Sequence, residues 1–171
     1  QRKVPIHSPL QAVAVQITFH RTITVCSVYL PSDKVKRKHL ENLISQLPQP
    51  ALFLGDLNGH SPLWGCSDKN RRGEIIEDLL DKSEWCLLND KSSTYLQPAT
   101  GHYSSSDLAI CSPNRLLDYS FEVHEDLCGS YHFPTFLKHL TDSESEAFPK
   151  WKFSKADREM FCALCQSKLH H

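Results

Sequence analysis

The sequence predicts an α/β fold in which two sheets form a sandwich covered by helices. Three observations lead there. Apolar residues alternate with period two over residues 12–30, helix-period stripes follow at 40–47 and 75–80, and a short continuous apolar run, Ala51 to Leu54, sits between Pro50 and Gly55. Strands keep recurring after the second helix, which fits a sandwich better than a regular βαβ winding.

Taken in order, Val13, Val15, Ile17 and Phe19 alternate, and Ile23, Val25, Ser27 and Tyr29 do so again after a break at His20-Arg21. The tight connection predicts an antiparallel hairpin. Pro31, Ser32 and Asp33 stop the second strand and offer helix caps. Leu40, Leu43, Ile44 and Leu47 recur at i, i+3, i+4 and i+7, one face of a helix ending before Pro48. Ala51–Leu54 reads as a strand buried on both faces. Ile75, Ile76, Leu79 and Leu80 mark a second helix after Gly73. Strands are expected at Trp85–Leu88, Leu108–Cys111, Ser120–Val123 and His132–Leu137. From Lys138 the composition turns polar, with Asp142, Glu144 and Glu146 among serines. Ser154 then opens a helix with an apolar stripe of Ala156, Met160, Phe161 and Leu164. The chain is thus expected to divide into residues 1–140 and a linker with a C-terminal helix, 141–171.

A length of 171 residues suits one domain, and 40% hydrophobic content can supply its core. No apolar run approaches the ~20 residues that cross a bilayer, and Gln1-Arg2-Lys3-Val4-Pro5 lacks the apolar run of a signal peptide. The absence of an initiator Met predicts a start within a longer protein. Seven scattered cysteines read as reduced thiols inside a cell. Cys162 and Cys165, with His170 and His171, have zinc-like spacing, although two small residues on one helix face account for the pair as well. A net charge of −1 gives no global field for nucleic acid. Two basic clusters, Lys34, Lys36, Arg37, Lys38 and Lys69, Arg71, Arg72, can touch phosphates or form solvated faces.

The chemistry is concentrated in three places. Asp56 and Asn58 end the buried strand at i and i+2, so their side chains point the same way, and Gly55 permits close approach of backbone or ligand. Asp107 stands at the mouth of another apolar strand. His132 enters a third. Singly, Asp56 and Asn58 read equally well as turn formers, a lone Asp107 is more often a cap and a lone His132 more often structural; their joint occurrence in this order points to a site for a phosphate and a water.

Gly55-Asp56-Leu57-Asn58-Gly59-His60 followed by Pro62-Leu63-Trp64-Gly65 resembles the GDFNAH…PLWG block of non-LTR retrotransposon endonucleases. Ser106-Asp107-Leu108 resembles their SxxDL block, and Ser130-Tyr131-His132-Phe133-Pro134 their SDHFP block. Residues 151–157 are similar to the WxxxKAD stretch that follows the nuclease in Jockey-like elements. The resemblance places the chain in the endonuclease/exonuclease/phosphatase superfamily and implies a deoxyribonuclease I-like two-sheet sandwich flanked by helices. It implies that Asp56 orients or deprotonates the attacking water and Asn58 holds the scissile phosphate. His132 would stabilise the phosphoryl oxygens with its ring fixed by Asp107, and Tyr29 would face the phosphate. His60, Arg71 and Arg72 are expected to help bind the substrate. Mg²⁺ or Mn²⁺ is the implied cofactor. DNA is the implied partner, without a membrane, in a polyprotein with a reverse transcriptase acting in the nucleus.

Two departures accompany the resemblance. The family's metal-proximal Asp is Tyr131 here, and a phenol with pKa ~10 is no substitute for a carboxylate ligand. The family's opening strand and the QETH-like block with its metal-binding Glu have no counterpart, so a core strand is expected to be lacking and a neighbour's edge unpaired. No nicking activity is therefore expected of the chain. Rival readings are another superfamily phosphoesterase, a DNA- or protein-binding pseudonuclease, and a zinc module.

Overall fold

The computed structural model describes residues 1–18, 21–31, 35–140 and Met160. The chain divides into two units, Gln1–Thr141 and Asp142–His171. The second lies outside the described residues except for Met160, and with it the predicted C-terminal helix, the Cys162/Cys165 pair and the Trp151–Asp157 stretch.

Among the described residues of 12–30, the alternation folds as predicted. β2 (Gln11–Thr18) and β3 (Thr22–Tyr29) pair antiparallel in a register that runs from Gln11↔Tyr29 to Thr18↔Thr22. A strand too short to show a period, β1 (Arg2–Val4), covers β2 from Ala14 to Gln16. The stripe of Leu40, Leu43 and Ile44 is the buried face of α1 (Arg37–Ser45). The helix starts later than the Ser32 and Asp33 caps, both outside the described residues, and ends two residues before Leu47, which nonetheless stays in the core at 4% exposure.

α1 returns the chain so that β4 (Ala51–Asp56) lies parallel to β3. On its other side β4 meets β8 (Asp107–Cys111) antiparallel, and β8 carries β5 (Cys86–Leu87) at the far edge. The result is one six-stranded sheet, ordered β1-β2-β3-β4-β8-β5. One sheet face, with Cys26, Val28, Phe53, Leu108 and Ile110, packs on Leu40, Leu43, Trp64 and the Ile76 and Leu79 of α2 (Arg71–Lys82). Each such side chain contributes about 1.5–3 kcal/mol by leaving water.

In place of a second continuous sheet, the remaining strands form two separate ribbons. β6 (Tyr95–Gln97) pairs with β7 (His102–Ser104), and β9 (Tyr119–Val123) pairs with β10 (Thr135–His139). The strand expected at His132–Leu137 is displaced to Thr135–His139. His132 itself makes only an isolated bridge, with Tyr95. Its backbone N–H instead donates locally, to Ser130 Oγ at 3.0 Å.

Candidate active site

Three strands end at one level. Tyr29 on β3 is the register partner of Asp56 on β4, and Asp56 is the partner of Asp107 on β8. Register partners leave a sheet on the same face. Tyr29, Asp56 and Asp107 therefore form a row, with the tyrosine 47% exposed.

Close approach at this end of the sheet depends on Gly55. Its φ is +142°, and a Cβ there would lie 1.9 Å from the Val28 carbonyl oxygen. Beyond Asp56 the chain turns through Asn58 in the left-handed region, at φ 49°. The turn directs the Asn58 amide back: Nδ2 donates to Asp56 Oδ2 at 2.9 Å and to the Leu30 carbonyl at 3.3 Å, while the backbone N–H donates to Asp56 Oδ1 at 3.0 Å. Burial first, and then the charge of Asp107, raise the Asp56 pKa above its ordinary 3.8; bonds from Asn58 and Ser106 and the proximity of His132 oppose the rise.

His132 joins the row through Asp107, with Nδ1 and Asp107 Oδ2 2.8 Å apart. With Nδ1–H donating to the carboxylate, an assignment that follows from this hydrogen bond, the Nε2 edge is turned to the site. Tyr95 tilts over the imidazole with ring centroids 4.7 Å apart. Asp107 is fixed from behind: its N–H donates to Thr94 Oγ1 at 3.0 Å, and its carbonyl accepts from Asn89 Nδ2 at 2.9 Å. Fully buried Thr94 also accepts from Phe133 N–H, next to His132, at 2.8 Å. One residue thus ties the Asp107 strand to the His132 segment.

Behind the turn, Asn70 caps α2 by accepting from Gly73 N–H at 2.8 Å and also accepts from His60 N–H at 3.0 Å. The His60 ring lies 3.0 Å from Asp68. Arg71 is exposed beside this loop, and Lys69 pairs with Glu77 at 2.6 Å. Arg72 departs from the surface position its cluster suggested. It is 5% exposed, and Nη1 donates to the Leu30 carbonyl and, at 3.2 Å, to that of Leu57. This guanidinium clamps the ends of β3 and β4 together, so in this arrangement it does not present itself to a phosphate. Sequence reasoning missed Thr94, Asn89 and the clamp because each acts on backbone groups, which no residue pattern reports.

Tyr131 is 58% exposed, with its carbonyl accepting from Leu96 N–H. Among the described residues, no three His, Cys, Asp or Glu side chains converge to hold a metal ion. Asp107 is engaged by His132 and Asp56 by Asn58, so each carboxylate of the row already has a partner. That donor set does not fit a resident divalent cation. A depression of about 680 Å³ along α2, lined by Leu63, Glu74, Glu77, Asp78, Leu80 and Asp81, is rimmed with acid and suits no phosphate.

The family profile described as endonuclease–reverse transcriptase matches residues 23–136. Among solved structures, the chain is similar to the endonuclease domain of TRAS1, a telomere-specific non-LTR retrotransposon, with TM-score 0.65 and 26% identity. The match covers 74% of this chain and 60% of that one. No curated protein matches.

Proposed function

The chain belongs to the endonuclease–reverse transcriptase family, and on that premise we propose that the row Tyr29, Asp56, Asp107 with His132 is a DNA phosphodiester site of the nicking type, in which hydrolysis by this chain falls below detection. The observation that carries the reading is the 2.8 Å His132–Asp107 hydrogen bond, set in register beside Asp56. Asp107 holds the ring through this hydrogen bond, so that Nε2 meets the charge that builds on a phosphoryl oxygen. Asp56, with its raised pKa, is suited to take a proton from water. Tyr29 offers an exposed phenol at the same level. Asn58 orients Asp56, and it reaches a phosphate only by giving up one of its two Nδ2 bonds.

The same inventory argues against turnover. Two carboxylates and one imidazole do not neutralise an anionic diester. Mg²⁺ or Mn²⁺, implied by the family resemblance, would have to be held by donors that do not converge, and Tyr131 stands where a carboxylate would help. On this reading the partner is DNA, contacted through Arg71 and His60, within a polyprotein that carries a polymerase and acts in the nucleus. No helix among the described residues is long and apolar enough to cross a membrane.

The test is a supercoiled-plasmid nicking assay with Mg²⁺ and Mn²⁺, beside salt-dependent duplex binding. Expected are no nicking above an Asp56→Ala control and a binding constant that weakens in His132→Ala. Robust turnover that Asp56→Ala abolishes would overturn the proposed inactivity. Binding indifferent to His132 would overturn the site.

A further inference from the structure

We propose that Cys86 and Cys111 form a redox-labile disulfide between β5 and β8, made by exchange with a low-molecular-weight disulfide such as oxidised glutathione. The proposal does not depend on the nuclease reading. It rests on register: Cys86 is the direct partner of Cys111 across an antiparallel pair. Such partners have Cα atoms about 4.5 or 5.5 Å apart, according to the hydrogen-bonding type of the pair. Both spacings fall within the roughly 4.4–6.8 Å that a disulfide spans. Direct partners also project from one face, and the two thiols are near enough for Cys86 to influence Cys111 electrostatically. The edge position of β5, only two residues long, lets Cys86 adjust to close the bond.

The other described cysteines lack this arrangement. Cys26 is fully buried in the core, Cys66 exchanges hydrogen bonds with the Ser105 backbone, and Cys128 lies exposed in a turn. Among the described residues, no second pair of cysteines shares a register position.

The order of events follows from access. Cys86 is half-buried at the edge, whereas Cys111 is fully buried. The Cys86 thiolate attacks oxidised glutathione, forming a mixed disulfide and releasing one glutathione thiolate. Cys111 then loses its proton and attacks the Cys86 sulfur, releasing the second. Both protein thiols are oxidised and one glutathione disulfide is reduced to two thiols. Burial, and then the neighbouring Cys86, push the Cys111 thiol up to about 11, which makes the second step the slower one. The bond closes a loop containing Thr94, the β6–β7 ribbon and Asp107, and so braces the half of the site that holds His132.

The whole chain is equilibrated in glutathione buffers of increasing oxidation, alkylated, digested and mapped by mass spectrometry. The expected result is a Cys86–Cys111 linked peptide pair, two hydrogens lighter than the reduced peptides and lost on reduction. Cys111→Ser should stop at the Cys86–glutathione adduct. Cys86→Ser, a change at a partly exposed edge with little risk to folding, should leave Cys111 unmodified. Persistence of the Cys86 adduct in the unaltered chain at every ratio, or linkage of either cysteine to another, would overturn the proposal.

Discussion

Asp56 and Asp107 stand directly opposite each other where β4 meets β8, so two carboxylates share one level of the sheet. Asp56 has its pKa raised by burial and then by its neighbour's charge, while Asp107 is hydrogen-bonded to His132 at 2.8 Å.

A pH dependence of stability follows. The folded chain binds the Asp56 proton more tightly than the unfolded chain, so stability is lost as pH rises from the ordinary 3.8 through the raised folded value. Asp56→Asn keeps an acceptor for the Asn58 N–H and removes the charge. It should melt at a higher temperature than the unaltered chain at pH 7, with the advantage vanishing below pH 3.8. A lower melting temperature at pH 7 would contradict this account.

His132 and Asp107 should be energetically coupled. Their side chains are 39% and 21% exposed, so solvent screens part of the attraction. A double-mutant cycle with Asp107→Ala and His132→Ala, followed by urea unfolding, should give a coupling of about 0.5–1.5 kcal/mol. Strict additivity would mean the contact has no energetic content.

Arg72 should matter more than any exposed basic residue. Arg72→Met leaves the carbonyls of Leu30 and Leu57 without their buried donor and should cost about 2–4 kcal/mol in urea unfolding. Arg72→Lys should recover only part, since an ammonium lacks the planar fork. Arg71→Met, at an exposed position, should change stability by less than about 0.5 kcal/mol. Equal stability of all three variants would remove the clamp from the account.

Tyr131→Asp adds a carboxylate beside His132. In that variant Mg²⁺ at tenfold above its Kd should add about 1.4 kcal/mol of stability, read as a melting shift of about 3–5 °C. The unaltered chain should shift by less than about 1 °C over the same titration. An equal shift in both would show that the existing donors already suffice.

The parts of the fold legible in the sequence are those whose apolar spacing spans several residues. The β2–β3 hairpin, α1, β4 and α2 each bury a repeating set, such as Leu40, Leu43 and Ile44. β1, β6 and β7, at three residues each, are too short to carry a period, and pairing rather than composition makes them strands. His132 was placed in a strand because apolar residues follow it, whereas a single bridge to Tyr95 and the Ser130 hydroxyl hold it. The grouping of Asp56, Asn58, Asp107 and His132 was legible because the motifs occur together in order. The supports were not, since Thr94 and Asn89 are ordinary polar residues until their partners are known.

The bridge that Thr94 makes between Asp107 and the segment next to His132 has a consequence for how the protein is made. The row and His132 draw on positions scattered from residue 29 to residue 132, and such long-range meetings come late because chain closure must precede them. A growing or clipped polypeptide lacking its last third would hold every strand of the six-stranded sheet, with Tyr29, Asp56 and Asp107 in their row, and would still lack His132.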